Sequence, residues 1–186
     1  MNAIIPGSIG AIAQQTGKSI AETFISVDVI IIVDTSGSMG SADSRGGRSR
    51  YQVTMDELAA LQASMPGKIA VINFSSDVSF EPSGSPIFKS GGTNLTGALR
   101  FIKVADVEGM RFILISDGGP DDPEGAIRIA STFKNKIDVI YVGPEEYPTG
   151  RDFLMRLAQA TGGKTVTVDR AKELKAGVIA LLGARV

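Results

Sequence analysis

The chain has 186 residues, of which 43% are hydrophobic, and a formal net charge of -1 at pH 7. It contains no cysteine and no histidine, which excludes disulfides, zinc sites built on sulfur or nitrogen, Ser-His-Asp triads and Cys-His dyads. The near-even balance of acidic and basic residues gives no overall attraction to nucleic acid or to an anionic membrane, so a partner must be sought at a local site.

Three features indicate a soluble protein of one domain. The length lies in the usual single-domain range. No segment approaches the roughly 18 consecutive apolar residues that a membrane-spanning helix requires. The first residues, Met1 to Pro6, lack the basic region and the apolar core of a secretory signal. We therefore expect a cytoplasmic protein without a membrane segment.

We expect residues 1–26 to form an N-terminal extension to a domain that spans residues 27–186. Within the extension, residues 7–21 have the period of an amphipathic helix, with an apolar stripe made of Ile9, Ile12, Ala13, Thr16 and Ile20. A stripe of this kind usually packs on its own domain. A helix that docks a partner or builds an oligomer is the alternative.

From residue 27 onward, strand patterns alternate with helix patterns. Five short, nearly continuous apolar runs predict buried strands: Val27–Val33, Ile69–Phe74, Arg111–Ile115, Ile137–Val142 and Thr165–Val168. Helical spacing lies between and after them, at Tyr51–Met65, Leu95–Ile102, Ile129–Phe133, Phe153–Thr161 and Leu174–Leu182. This alternation predicts an α/β fold with a doubly wound, mostly parallel sheet and helices on both faces. Val78–Phe80 adds a short antiparallel edge strand.

Oxygen-bearing side chains lie in three loops of the predicted fold. Asp34, Ser36 and Ser38 come after the first strand, Thr93 precedes a helix, and Asp117 follows the strand that ends at Ile115. The carboxyl ends of parallel strands meet at one edge of the sheet, where ligands of such folds collect. We therefore expect the five side chains of Asp34, Ser36, Ser38, Thr93 and Asp117 to converge.

Two carboxylates and three hydroxyls form an all-oxygen set, which suits a hard divalent cation such as Mg²⁺, with Mn²⁺ or Ca²⁺ as alternatives. Each residue alone also has an ordinary structural interpretation. Asp34, Ser36 or Thr93 could cap a helix, and Asp117 could begin a turn. The order and spacing of the whole set favour the metal site. We also expect Asp34 and Thr93 to lie in solvent-facing loops, so that their substitution would disturb folding little.

The segments Asp34-Thr35-Ser36-Gly37-Ser38, Gly92-Thr93-Asn94 and Ser116-Asp117-Gly118 resemble the metal-ion-dependent adhesion site of von Willebrand factor type A (vWA) domains. The resemblance covers the chain from about residue 27 and implies the Rossmann-like vWA fold. It implies that Ser36 and Ser38 bind the ion directly, Thr93 directly or through water, and Asp34 and Asp117 largely through water.

In that family the remaining coordination position usually accepts a Glu or Asp carboxylate of a partner protein. The resemblance thus implies a metal-dependent protein-binding adaptor, within a larger complex or beside an AAA+ ATPase, rather than an enzyme. A structural or assembly protein with a fold-stabilising ion is one alternative. A magnesium-dependent phosphoryl-transfer or hydrolytic enzyme is disfavoured, because Asp34-Thr35-Ser36 lacks a second aspartate and the chain has no histidine base.

Two charged segments border the predicted site. The loop Gly40–Arg50 carries three arginines, which could steer an acidic partner or simply be solvated ahead of the next helix. Asp121-Asp122-Pro123-Glu124 could form an acidic rim. Acidic residues around a proline are typical of a helix start, which we favour here.

Overall fold

The computed structural model describes residues 4–146 and 148–182. Its strands are β1 (Val29–Asp34), β2 (Ile69–Phe74), β3 (Val78–Phe80), β4 (Arg111–Ser116), β5 (Ile137–Tyr141) and β6 (Thr165–Thr167). Its α-helices are α1 (Ile9–Thr16), α2 (Ile20–Phe24), α3 (Arg50–Ser64), α4 (Leu95–Ile102), α5 (Pro123–Ala130), α6 (Pro148–Thr161) and α7 (Leu174–Leu182). Residues 1–3 of the expected extension and 183–186 of the expected domain lie outside the described residues.

The strands form one sheet in the order β3-β2-β1-β4-β5-β6, in which only β3 is antiparallel to its neighbour. This confirms the predicted mostly parallel sheet and the antiparallel edge strand. The crossover through α3 leads from β1 to one side of the sheet, and the crossover through α5 leads from β4 to the other. The strand order therefore reverses between β1 and β4, which leaves a crevice at their carboxyl ends.

Helices cover both faces of the sheet, and every residue of β1 is buried. Alternate residues of a strand point to opposite faces, so Ile30 and Ile32 join one apolar cluster while Ile31 and Val33 join the other. The first cluster includes residues of α4, α5 and α6, and the second includes residues of α3 and α7. None of the helices in the described ranges is long and apolar enough to cross a membrane.

The N-terminal segment folds as two helices, so the prediction of one helix over residues 7–21 is wrong. Gly17 ends α1 with φ of 68°, and Ser19 starts α2 with a capping box to Glu22. Glycine adopts this left-handed conformation without strain, and a capping box satisfies the free N–H groups of a new helix. Ile9 is 2% exposed, and the Gly10 N–H donates to the carbonyl of Pro82 at 2.7 Å. Ile9 and Ala13 of the apolar stripe thus pack on their own chain, whereas Thr16 is exposed.

Helix α5 begins earlier than the apolar spacing of Ile129–Phe133 predicts. The Asp122 carboxylate accepts the N–H of Gly125 at 2.9 Å, and Pro123 occupies the first turn. The helix-start interpretation of this acidic segment is therefore correct for Asp122. The helix has ended before Phe133, whose ring packs edge-on against Phe112. Packing of that ring against Phe112, rather than helix formation, explains the apolar residue at this position.

Candidate metal centre

Asp34, the last residue of β1, joins the carboxyl ends of β1 and β4. Its carboxylate is completely buried. Oδ1 accepts the N–H of Ser36 at 2.8 Å, and Oδ2 accepts the hydroxyl of Ser116 at 2.6 Å. Ser116 was not among the predicted site residues, although it directly precedes Asp117 at the end of β4. The expectation that Asp34 lies in a solvent-facing loop is wrong, because the side chain points into the crevice between two central strands.

Burial has an electrostatic consequence for Asp34. Loss of solvent and, secondarily, the nearby charge of Asp117 raise the pKa of this carboxyl to about 6, against 3.8 for a free aspartate. The hydrogen bonds from Ser116 and Ser36 lower the pKa but do not offset burial. A carboxylate held in this way gains from any positive charge that enters the crevice.

The hydrogen bonds around Asp34 extend to Ser36, Ser38 and Asp117. The hydroxyl oxygens of Ser36 and Ser38 lie 3.2 Å apart, and the Ser38 hydroxyl donates to Asp117 Oδ1 at 2.8 Å. Ser36 is buried and Ser38 is exposed, so the group runs from the interior to the surface. Ser36 stands at the N-cap position of a short 3-10 turn but makes no side-chain capping bond, and its hydroxyl contacts Ser38 instead. Four of the five predicted residues are thus joined by hydrogen bonds.

The loop that carries Thr93 lies beside the serine loop, since the N–H of Gly37 donates to the carbonyl of Gly91 at 3.2 Å. Thr93 is partly buried, and its N–H donates to both oxygens of Asp121 at 3.1 and 3.0 Å. The helix cap here is Asn94, which accepts the N–H of Gly97, so the capping interpretation of Thr93 is wrong. The structure describes all five site residues and shows no hydrogen bond from the Thr93 hydroxyl to the other four.

Arg50 is a further charged residue at this centre, and its burial was not predicted. It is the first residue of α3, and its Nη1 donates to Asp117 Oδ2 at 2.6 Å. Its Nε and Nη2 donate to the two oxygens of Asp43 at 2.9 and 2.5 Å. Burial by itself would lower the pKa of Arg50, but the hydrogen bonds to Asp43 and Asp117 raise it on balance. The guanidinium therefore stays charged.

The three arginines of the Gly40–Arg50 loop all form ion pairs with carboxylates of the chain, two of them at the surface. Arg45 pairs with Glu57 and Arg48 with Asp56, while Arg50 is buried. The burial of Arg50 could have been predicted from the spacing of residues along α3. Positions 50, 54, 58 and 61 recur at helical intervals on the face that packs against the sheet.

The donor set fits a divalent cation that prefers oxygen. Hydroxyl and carboxylate oxygens of Ser36, Ser38 and Asp117 are already within hydrogen-bond distance of one another in series. Within the described ranges, no group of three or more His, Cys, Asp and Glu side chains is arranged to hold a metal ion. An ion at this centre would therefore depend on hydroxyl oxygens and water as much as on the two carboxylates, which is typical of Mg²⁺.

No family model and no curated protein matches the sequence. Solved structures do match. BatB from Bacteroides thetaiotaomicron is 19% identical with a TM-score of 0.66, over 84% of this chain and 97% of that chain. An aerotolerance-related membrane protein from Bacteroides fragilis, crystallised with multiple mutations to serines, is 18% identical with a TM-score of 0.65, over 84% of this chain and 98% of that chain.

A third match is a von Willebrand factor type A protein from Catenulispora acidiphila. It is 18% identical with a TM-score of 0.57, over 82% of this chain and 41% of that chain. At these identities the likeness concerns the fold. A six-stranded sheet with one antiparallel strand and helices on both faces agrees with it. The chain has the Rossmann-like fold of vWA domains.

Proposed function

We propose that this protein is a binding module that captures a Glu or Asp side chain of a partner protein through a divalent cation, with Mg²⁺ as the first candidate. The observation that carries the proposal is the continuous hydrogen-bonded group at the carboxyl ends of β1 and β4. Asp34, Ser36, Ser38 and Asp117 belong to it, and the loop of Thr93 lies beside it. When bound, the ion supplies a positive charge with a coordination position for an incoming carboxylate.

The side chains around the ion account for the preference for an anionic ligand. The hydroxyls of Ser36 and Ser38 are neutral oxygen ligands that leave the charge of the ion largely uncompensated, so an anionic ligand gains more than it would at a centre saturated with carboxylates. Asp117 accepts the hydroxyl of Ser38 and Asp34 accepts the N–H of Ser36, so the two carboxylates hold the loop that carries these hydroxyls. We propose binding rather than catalysis, because the chain has neither a histidine nor a cysteine to serve as base or nucleophile.

A stabilising ion in an assembly protein is the competing function. The N-terminal helices, which would be the natural means of assembly, are packed on the chain's own domain, so the adaptor function is preferred. Association with an AAA+ ATPase and a cytoplasmic location stay predictions from the sequence. Specificity for the partner would come from the loops around the ion, since one metal–carboxylate bond selects only for an acid.

The proposal is tested by capturing proteins from an extract of the source organism on the immobilised full chain, with Mg²⁺ or with a chelator. Asp34→Asn removes one of the two buried carboxylates of the centre. Asp28→Asn is the matched control, because Asp28 precedes the same strand at its opposite end and is 59% exposed. We expect capture that requires Mg²⁺, survives Asp28→Asn, is lost in Asp34→Asn and is inhibited by a short peptide that contains glutamate. Capture that is indifferent to the chelator would contradict the proposal.

A further inference from the structure

Arg50 places a fixed positive charge beside the candidate metal centre. Its side chain is 8% exposed, and it lies between Asp117, whose side chain is fully buried, and Asp43, whose side chain is 34% exposed. Three nitrogens of the guanidinium donate to oxygens of these two carboxylates at 2.5 to 2.9 Å. A planar guanidinium held by several charged hydrogen bonds cannot turn away without breaking its pair with the buried carboxylate of Asp117. Its charge is therefore a permanent part of the centre.

The contact with Arg50 also divides the two oxygens of Asp117. Oδ2 accepts a hydrogen bond from Arg50, whereas Oδ1 accepts one from the hydroxyl of Ser38. Only Oδ1 faces the serines that would hold the ion. Arg50 thereby determines which oxygen of Asp117 is available to an ion or to its bound water.

The formal charges at the loaded centre cancel only if Asp43 is counted in full. Asp34 and Asp117 supply two negative charges against the three positive charges of a divalent ion and the guanidinium of Arg50, so one positive charge is left for Asp43 to offset. Asp43 offsets it only in part, because this carboxylate is partly solvated and also lies 3.6 Å from Nε of Arg170. Solvent and a second arginine both weaken the field of Asp43 at the ion.

We infer that Arg50 is a positioning residue whose fixed charge weakens the binding of the divalent cation and strengthens the binding of an anionic ligand to the loaded centre. The inference rests on the proposed function and concerns the same site. Two positive charges in a poorly solvated crevice repel each other, which reduces the affinity for the ion. The same surplus attracts a carboxylate that arrives afterwards, so the two affinities change in opposite directions.

Two affinities of the full chain test this inference. The first is the affinity of the metal-free protein for Mg²⁺, measured by calorimetry. The second is the affinity for acetate at saturating Mg²⁺, measured by NMR titration. We expect Arg50→Met to bind Mg²⁺ about tenfold more tightly and acetate about tenfold more weakly, as removal of one neighbouring unit charge requires. Asp43→Asn should do the reverse, with weaker Mg²⁺ binding and stronger acetate binding, because it leaves the charge of Arg50 less compensated.

Arg50→Lys separates charge from geometry, since lysine keeps the charge without the fork of donors. We expect it to stay within about threefold of the wild type for Mg²⁺. If Arg50→Met does not fold, the opposite changes in Asp43→Asn and the behaviour of Arg50→Lys still decide the question. A decrease of both affinities in Arg50→Met, or unchanged affinities in Asp43→Asn, would overturn the inference alone. Absence of Mg²⁺ binding in the wild type, or its persistence in Asp34→Asn, would overturn the proposed function as well.

Discussion

Replacement of Asp34 by asparagine should stabilise the metal-free protein at neutral pH. The folded state raises the pKa of Asp34 from 3.8 to about 6, mainly because the carboxyl is buried. The native state therefore retains this proton more strongly than the unfolded chain does. The contribution of Asp34 to the free energy of unfolding is therefore greatest below pH 3.8. It decreases between pH 3.8 and about 6 and stays low above that range. Each pKa unit corresponds to about 1.36 kcal/mol, so ionisation of Asp34 lowers the free energy of unfolding by about 3 kcal/mol at neutral pH.

Asparagine has the same shape as protonated aspartic acid and can retain both contacts. Its oxygen can accept the N–H of Ser36, and its amide can donate to the hydroxyl of Ser116, in place of the two contacts that Asp34 makes. Because the amide has no charge, the variant avoids the cost of a buried carboxylate. We expect a free energy of unfolding higher than that of the wild type by up to about 3 kcal/mol at about pH 7.5, with the difference disappearing near pH 4.

The assay is urea unfolding in the presence of a chelator at several pH values, with wild type, Asp34→Asn and the exposed control Asp28→Asn. Addition of Mg²⁺ should reverse the order at neutral pH, because a ligand that binds only the folded wild type raises its stability by mass action. An Asp34→Asn protein that is less stable than the wild type at about pH 7.5, or a difference that does not vary with pH, would refute the assignment of a buried, costly charge to Asp34.

Three further predictions concern the residues that support the centre and the fold. The Asp106 side chain is 2% exposed. Burial raises the pKa of this carboxyl, but hydrogen bonds from Lys103 and from the N–H groups of Lys134 and Asn135, between α5 and β5, outweigh burial and lower the pKa to about 2. Its stabilisation is present above pH 3.8 and is lost as the pH falls through about 2, so Asp106→Asn should cost about 2 kcal/mol in urea unfolding at pH 7. Gly10→Ala should lower the thermal midpoint by several degrees, because the new Cβ would lie 2.8 Å from a backbone carbonyl of the loop after β3. Asp121→Ala should weaken Mg²⁺ binding roughly fivefold in calorimetry, because the Thr93 loop loses the acceptor of its N–H.

Matched controls are available for these changes. Asp152→Asn alters an aspartate whose side chain is 63% exposed, so it should leave the stability at pH 7 unchanged. Gly119→Ala adds a methyl group with no atom within 4 Å and should leave the thermal midpoint nearly unchanged. Equal losses in Gly10→Ala and Gly119→Ala would show that close approach of α1 to the loop is not the cause. Unchanged Mg²⁺ affinity in Asp121→Ala would show that the Thr93 loop is held by other contacts.

The architecture was accessible from local sequence because strands buried on both faces must be apolar without interruption and their crossover helices must be amphipathic. The run before Asp34 became β1, and the runs before Ser75 and Asp117 became β2 and β4. The prediction of helix boundaries was wrong where a stop signal and a start signal lie close together in the sequence. Gly17 and Ser19 divide the N-terminal pattern into two helices, and apolar spacing alone did not reveal this. Convergence of the serine and Asp117 loops follows from the rule that parallel strands end at the same edge.

By itself, the sequence determined an α/β chain with oxygen-bearing loops at one edge of its sheet, because periodicity and turn residues act over a few neighbouring positions. The tertiary structure alone decided the burial of Asp34 and the pairing of Arg50 with Asp117, which is 67 residues away along the chain. Charge balance at the centre depends on such distant neighbours, since the field at an ion sums over whatever the fold brings close and no local pattern encodes it.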